Sequence, residues 1–190
     1  MADVAVPRAG LSTNAVTDAA LAIIDEQGLD ALTLAAVAAR TGVAAPSLYK
    51  HIGSLAELRA LVSVRVIEEM TERFATAVLG RSGDDAVGML MRTYRTYVVQ
   101  HSARYTAMHR DPLHDPAQAA PGTRLLDVFL AVLHGYGLHD SAAIHATRCL
   151  RAIVHGFASI EASGGFGLRE DLDSTYEQLI RMFIASLPRA

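Results

Sequence analysis

Residues 33–52 read TLAAVAARTGVAAPSLYKHI, and the rest of the chain is read outward from them. Leu34, Val37 and Ala38 recur at helical spacing and predict a short buried face, with Thr33 ahead of them as N-cap and Arg40 turned outward. Thr41-Gly42-Val43 predicts a tight turn, because Gly42 accepts a positive φ that a side chain resists and Val43 supplies an apolar plug. Pro46 then opens a second short helix, since a first-turn proline loses no hydrogen bond and arrives with φ already set. Leu48 and Ile52 form its buried side, and Ser47, Tyr49, Lys50 and His51 fall off that side. Ala44 and Ala45 are poor N-caps, which leaves backbone N–H groups at that end open to an anion. The pattern is a helix-turn-helix.

Length and composition narrow what surrounds it. A chain of 190 residues that is 51% hydrophobic holds one domain or two small ones with ample core. A single cysteine, Cys149, excludes an intrachain disulfide, fits a reducing compartment and reads as a small buried packing residue. The N-terminus lacks the basic-then-apolar pattern of a signal peptide, and no apolar run approaches the ~18 residues of a membrane span. A cytoplasmic protein is expected. The formal net charge of −3 gives no overall basic footprint. The local positive patch is Arg40, Lys50, His51 and Arg59, and Lys50 is the only lysine in the chain.

Around the motif the periodicity is helical throughout. After an arm to about residue 11, Val16, Ala19, Ala20, Ile23, Ile24 and Gln27 define a first helix that Gly28 ends. Ser54 and Glu57 form a capping box before a long helix carrying Leu58, Leu61, Val62, Val66, Met70, Phe74 and Val78. Gly80-Arg81-Ser82-Gly83 marks a coarse domain boundary. Further helices are expected over 84–101, 102–109, 123–135, 144–162 and 172–187, with a proline-containing loop over 111–122 and an interruption at His155-Gly156-Phe157. Gly156 implies either close helix approach or a kink. Ser174 and Glu177 form a second capping box. No strand alternation or internal repeat is present, so the fold class is all-α with about nine helices.

The residues carry a resemblance. Leu32-Thr33, Gly42-Val43 and Ala45-Pro46-Ser47-Leu48-Tyr49-Lys50-His51-Ile52 resemble the TetR family of bacterial transcriptional regulators over about residues 11–70. Arg148, the Arg151-Ala152-x-x-His155-Gly156-Phe157 run, Glu161 and Gly164-Gly165-Phe166-Gly167 resemble one subgroup with a His-Gly-Phe motif in its C-terminal domain. The resemblance implies a three-helix DNA-binding head at 11–70 with its motif at 33–52, and a helical effector-binding and dimerisation body at 80–190. It also implies a homodimer formed mainly through the last two long helices. Family members often carry an aromatic where Ile52 stands and a phosphate-binding lysine where Leu55 stands. Backbone N–H groups there, or Arg59, would substitute.

The site expectations follow. In a helix-turn-helix the second helix enters the major groove and the first crosses the backbone. Lys50 donates either to guanine O6/N7 or to phosphate. Tyr49 packs its ring and offers its hydroxyl to phosphate, His51 meets phosphate or caps locally, and Thr33 caps or meets phosphate. With Ala45, Pro46, Ser47 and Arg59 these form the candidate DNA-binding set. Tyr94, Tyr97, Met108, Phe129 and Phe157 are candidates for an apolar effector pocket. The histidines at 101, 109, 114, 134, 139, 145 and 155 form no i, i+4 pair or Cys/His cluster, so no metal is expected. Asp111-Pro112 and Asp115-Pro116 are turn chemistry, and no nucleophile–base pair or phosphate loop is present. No catalytic residue or cofactor is expected. The expectation is a ligand-responsive transcriptional repressor, homodimeric on a pseudo-palindromic duplex operator and released by a small-molecule effector. A helical ligand-binding or scaffold protein is the competing reading.

Overall fold

A computed structural model describes residues 11–108, 115, 116 and 118–188. The arm up to residue 10, His109, His114 and the Asp111-Pro112 turn lie outside the described residues. Among the described residues the chain is all-helical. It runs α1 (Thr13–Gln27), a 3-10 turn (Leu29–Ala31), α2 (Leu34–Thr41), α3 (Ala45–Leu48), α4 (Leu55–Val78), α5 (Gly83–Gln100), α6 (Ser102–Ala107), α7 (Ala119–His134), α8 (Asp140–Ala162) and α9 (Leu172–Ala185). Packing divides it within α4: residues through Val62 form one compact unit and those from Ser63 another.

In the first unit Ser12 caps α1 by accepting from the Ala15 N–H at 3.2 Å. The helix buries Val16, Ala20, Leu21, Ile23 and Ile24, while Gln27, expected on that face, is exposed. Val37 and Ala38 of α2, Leu48, Ile52, Leu58 and Val62 complete this core. Removing such side chains from water is the main term favouring so small a unit, at about 25 cal/mol per Å² of apolar surface.

The second unit is built on α5, which packs against α6, α7, α8 and α9. Its Val87, Leu90, Met91, Tyr94, Tyr97 and Val98 are all buried. The Tyr94 ring sits 5.2 Å from Phe74 and 6.1 Å from Phe129, tilted and edge-on as aromatic pairs prefer. Polar groups then fix the helix registers. Arg95 donates to both carboxylate oxygens of Glu161 on α8, at 2.6 and 2.7 Å, and to Asp173 on α9 at 2.7 Å. The same guanidinium lies 5.3 Å over the Phe157 ring and 4.8 Å over that of Tyr176. Tyr176 donates to the Met91 carbonyl at 2.7 Å, and Arg92 forks onto Glu177 at 2.5 and 2.6 Å.

Several boundaries differ from expectation for identifiable reasons. Helix α7 starts at Ala119, four residues before Thr123, because Pro121 occupies its third position, where the missing N–H has no partner to lose. Helix α9 is capped by Asp171, which accepts from the Ser174 N–H at 2.8 Å. The Ser174–Glu177 box therefore does not form, and Glu177 turns to Arg92. Helix α8 starts at Asp140 and runs through Gly156 without interruption. Cys149 is exposed, on the outward face of α8 with Gly156 and Ile160, so it is not the buried residue expected.

Arg95 and Glu161 are only 15% and 17% exposed, whereas Asp173 is 80% exposed. Removing one member of a sequestered pair strands the other charge, so Arg95→Ala is expected to lower unfolding free energy by about 3 kcal/mol. Asp173→Ala, removing an exposed partner, is expected to cost about 0.5 kcal/mol or less. Urea denaturation of the two variants checks the difference.

Candidate nucleic-acid interface and ligand pocket

Three local devices shape the reading head. Thr33 caps α2 by accepting from the Ala36 N–H at 3.1 Å. At the other end Gly42 is left-handed (φ 69°, ψ 27°). The Val43 N–H then reaches the Ala38 carbonyl at 3.1 Å and the Gly42 N–H the Ala39 carbonyl at 3.3 Å, the paired bonds of a Schellman stop. Pro46 sits in the first turn of α3, and Ala44 offers no side-chain cap. The α-helical span ends at Leu48, earlier than expected, but bonds from His51 N–H and Ile52 N–H to the Leu48 carbonyl, at 2.8 and 3.0 Å, carry the coil on to Ile52.

Leu48 and Ile52 are buried, which fixes which way the remaining side chains face. Tyr49 is 59% exposed, so its ring stands largely in solvent and is not packed as expected. Lys50, Pro46, Thr33 and Arg59 are exposed, and Ala45, Ser47 and His51 half-buried. Every residue of the expected set therefore reaches the surface of this unit. The backbone of His51 is held by the Thr13 hydroxyl, which donates to its carbonyl at 3.1 Å and ties the start of α1 to the end of the motif.

The charge pattern is sparser than the sequence suggests. Arg40 is already forked onto Glu26, at 2.7 and 2.5 Å, and this pairing holds the Glu26 carboxyl below its usual range. At the start of α4 the Ser54 hydroxyl accepts from the Glu57 N–H at 3.0 Å, as a capping box requires. The Glu57 carboxylate, however, accepts from the Gly53 N–H at 2.6 Å instead of the Ser54 N–H. A negative charge thus stands where a phosphate oxygen would approach the N-terminus of α4, beside Leu55. The Glu26–Arg40 contact was not legible without the packing, because positions 26 and 40 share no local periodicity.

In the second unit a groove of about 620 Å³ opens between α6 and α8, lined by Tyr105, Met108, Arg148, Arg151, His155 and Ser159 among others. Tyr105 is the polar link at its wall. Its hydroxyl is 2.8 Å from that of Tyr94 and 2.9 Å from His155 Nδ1. Burial pushes the Tyr94 and Tyr105 hydroxyls above the usual phenol range, so both stay protonated. Of the five residues expected to line a pocket, Met108 lines this one. Tyr94, Tyr97, Phe129 and Phe157 are buried in the bundle, with Tyr97 bonded to Glu69 at 3.2 Å. The arginines and His155 were missed as lining because only the α6–α8 packing brings them to one groove. Among the described residues no group of three or more His, Cys, Asp or Glu is placed to hold a metal, and no helix is long and apolar enough to cross a membrane.

Comparison with known proteins decides what carries this head. Residues 16–61 match the family model for bacterial regulatory proteins of the tetR family, and residues 87–183 match the tetracyclin repressor-like C-terminal domain. The chain belongs to the TetR family. It is 34% identical to an uncharacterized HTH-type transcriptional regulator of Mycobacterium tuberculosis, over 95% of this chain and 84% of that one. Its fold is that of a Rhodococcus protein of unknown function (TM-score 0.81, 18% identity, 96% and 99% of the two chains). It is also that of an Acinetobacter baumannii TetR variant in complex with minocycline (TM-score 0.71, 19% identity, 93% and 96%). The TetR family is one of DNA-binding transcriptional regulators rather than enzymes, and this chain is a regulator of that kind.

Glu57→Gln keeps an acceptor for the Gly53 N–H while removing the charge at the α4 N-terminus. It is expected to tighten binding to duplex DNA about threefold at low salt, the scale of one exposed charge interaction. Fluorescence anisotropy across a salt series measures it, and the gain should shrink as salt rises.

Proposed function

We propose that this TetR-family regulator is a cytoplasmic, ligand-responsive repressor that binds a pseudo-palindromic operator as a homodimer and is released by a small-molecule effector. The observation that carries the DNA part is the outward set on and after α3: Tyr49, 59% exposed, and the chain's only lysine beside it, on a backbone whose other side is the fully buried Leu48. A large ring held in solvent next to a cation suits a phosphate and base-edge surface. Thr33, Ala45, Pro46, Ser47, His51 and Arg59 complete it.

Dimerisation is supported by the outward face of α8 and α9. Ile160 and Met182 are 44% and 61% exposed, and a Cβ built at Gly156 would meet nothing within 4 Å. Glycine within a helix costs about 1 kcal/mol relative to alanine. Among the described residues no contact offsets that cost at Gly156, whereas a helix of a second copy packed against it would. The Arg151-Ala152-x-x-His155-Gly156-Phe157 run supports membership of the subgroup with a His-Gly-Phe motif. The effector part is supported by the groove between α6 and α8 and by the minocycline complex of the Acinetobacter relative. An effector that prefers one body conformation shifts the population toward it, and operator affinity falls when the two heads no longer match the half-site spacing.

Two measurements test the proposal. On a duplex spanning the promoter upstream of its own gene, the Tyr49→Ala/Lys50→Ala double variant should raise Kd about thirtyfold and reduce the slope of log Kd against log salt by about one. Binding unchanged at every salt concentration would remove the head from DNA recognition. Ile160→Glu with Met182→Glu should give a monomer in sedimentation velocity at unchanged helicity, and a persisting dimer would contradict the α8–α9 interface.

A further inference from the structure

We propose that the groove between α6 and α8 takes a small organic carboxylate, its head held by Arg148 and Arg151 and its apolar body lying against Met108 and the Tyr105 ring. This rests on the reading of the protein as effector-controlled and names the chemical class of that effector.

The charge distribution makes the argument. Several arginines of this unit lie on carboxylates: Arg92 on Glu177, Arg95 on Glu161 and Arg104 on Glu69, each within 3.0 Å. Arg148 and Arg151 differ. Among the described residues the groove they line has no aspartate or glutamate, and neither arginine has a carboxylate in salt-bridge reach. They sit three residues apart on one helical face, followed on that face by His155 and Ser159. Two guanidinium groups on one wall of a concavity, with no described carboxylate beside them, offer an entering anion charge-assisted hydrogen bonds. The planar fork of arginine matches a carboxylate with two parallel hydrogen bonds.

The walls decide what the anion is attached to. Met108, Ala152 and the Tyr105 ring give the groove an apolar portion, and its volume of about 620 Å³ lies in the range of sites for drug-sized organic ligands. A bare inorganic anion would leave most of that space unfilled. The ligand would also touch a mechanical link. The Tyr105 hydroxyl bonds His155 Nδ1 and the Tyr94 hydroxyl, and the Tyr94 ring packs on Phe74 of α4. Occupancy therefore acts on the residue that connects the groove to the long helix.

Isothermal titration of the full-length protein with 1-naphthoate tests this, with 1-naphthamide as the neutral isostere, and 1-naphthyl phosphate and inorganic phosphate as competing anions. Naphthoate is expected to bind roughly tenfold more tightly than naphthamide, and inorganic phosphate to give no saturable heat. Arg148→Gln with Arg151→Gln should weaken naphthoate about thirtyfold at unchanged helicity, and Arg148→Lys with Arg151→Lys should recover part of that loss. Equal affinity for naphthoate and naphthamide would overturn the proposal, and this comparison needs no variant to fold. So would no naphthoate binding at millimolar concentration, a tenfold preference for the naphthyl phosphate, or a glutamine double variant that binds naphthoate like the wild type. Promoter-duplex binding without ligand separates the two levels. DNA binding with no naphthoate preference sinks the carboxylate alone, while absent DNA binding sinks the regulator reading and leaves the calorimetry as it stands.

Discussion

One guanidinium sets the geometry of the helical body. Arg95 leaves α5 between two aromatic rings and meets Glu161 of α8 and Asp173 of α9 at once. Ion pairs at a surface contribute little because water competes for both partners. This one is mostly withdrawn from water, and its planar fork allows one docking of α8 and α9 on α5. Tyr176 on the Met91 carbonyl and Arg92 on Glu177 repeat the constraint along the same seam. The apolar surface supplies the driving force, and these directional bonds choose the register.

With that seam fixed, α8 has two outward faces left, and they differ in chemistry. One carries Cys149, Gly156 and Ile160, small or apolar and open to a helix from outside the subunit. The other carries Arg148, Arg151 and His155 and forms a wall of the groove. The same helix thus supports both the dimerisation and the effector parts of the proposed function. A ligand between Tyr105 and the two arginines would bear on Tyr94, and through its ring contact on Phe74 in α4. Phe74 lies on α4, which runs from Leu55 to Val78.

Local rules carried much of the fold, and they failed at particular places. The Gly42 stop, Pro46 in the first turn and the buried Leu48–Ile52 pair were legible because each depends on backbone conformation within a few residues. The run from Leu58 to Phe74 was legible because its period is long and regular. Helix starts were harder, since two caps competed: Asp171 won over Ser174, and α7 began before Pro121 although prolines usually suggest a loop. Charge was least legible. Whether an arginine is paired depends on which helix lies beside it, so Arg40 counted toward the basic patch although Glu26 holds it. Arg148 and Arg151 stood out only as part of a family motif, and their place in a groove depends on α6 lying opposite. The aromatics expected to line a cavity had the same problem in reverse: Tyr94 and Phe129 satisfy one another within the core.

The central claim is that residues 33–52 read DNA sequence in pairs. Selection of duplexes from a random pool by the full-length protein, followed by footprinting of the enriched sequence, tests it most directly. The account requires enrichment of an inverted repeat, with two protected major-groove segments on one face about one helical turn, or a whole number of turns, apart. Enrichment of nothing, or protection of a single unrepeated segment, would contradict it.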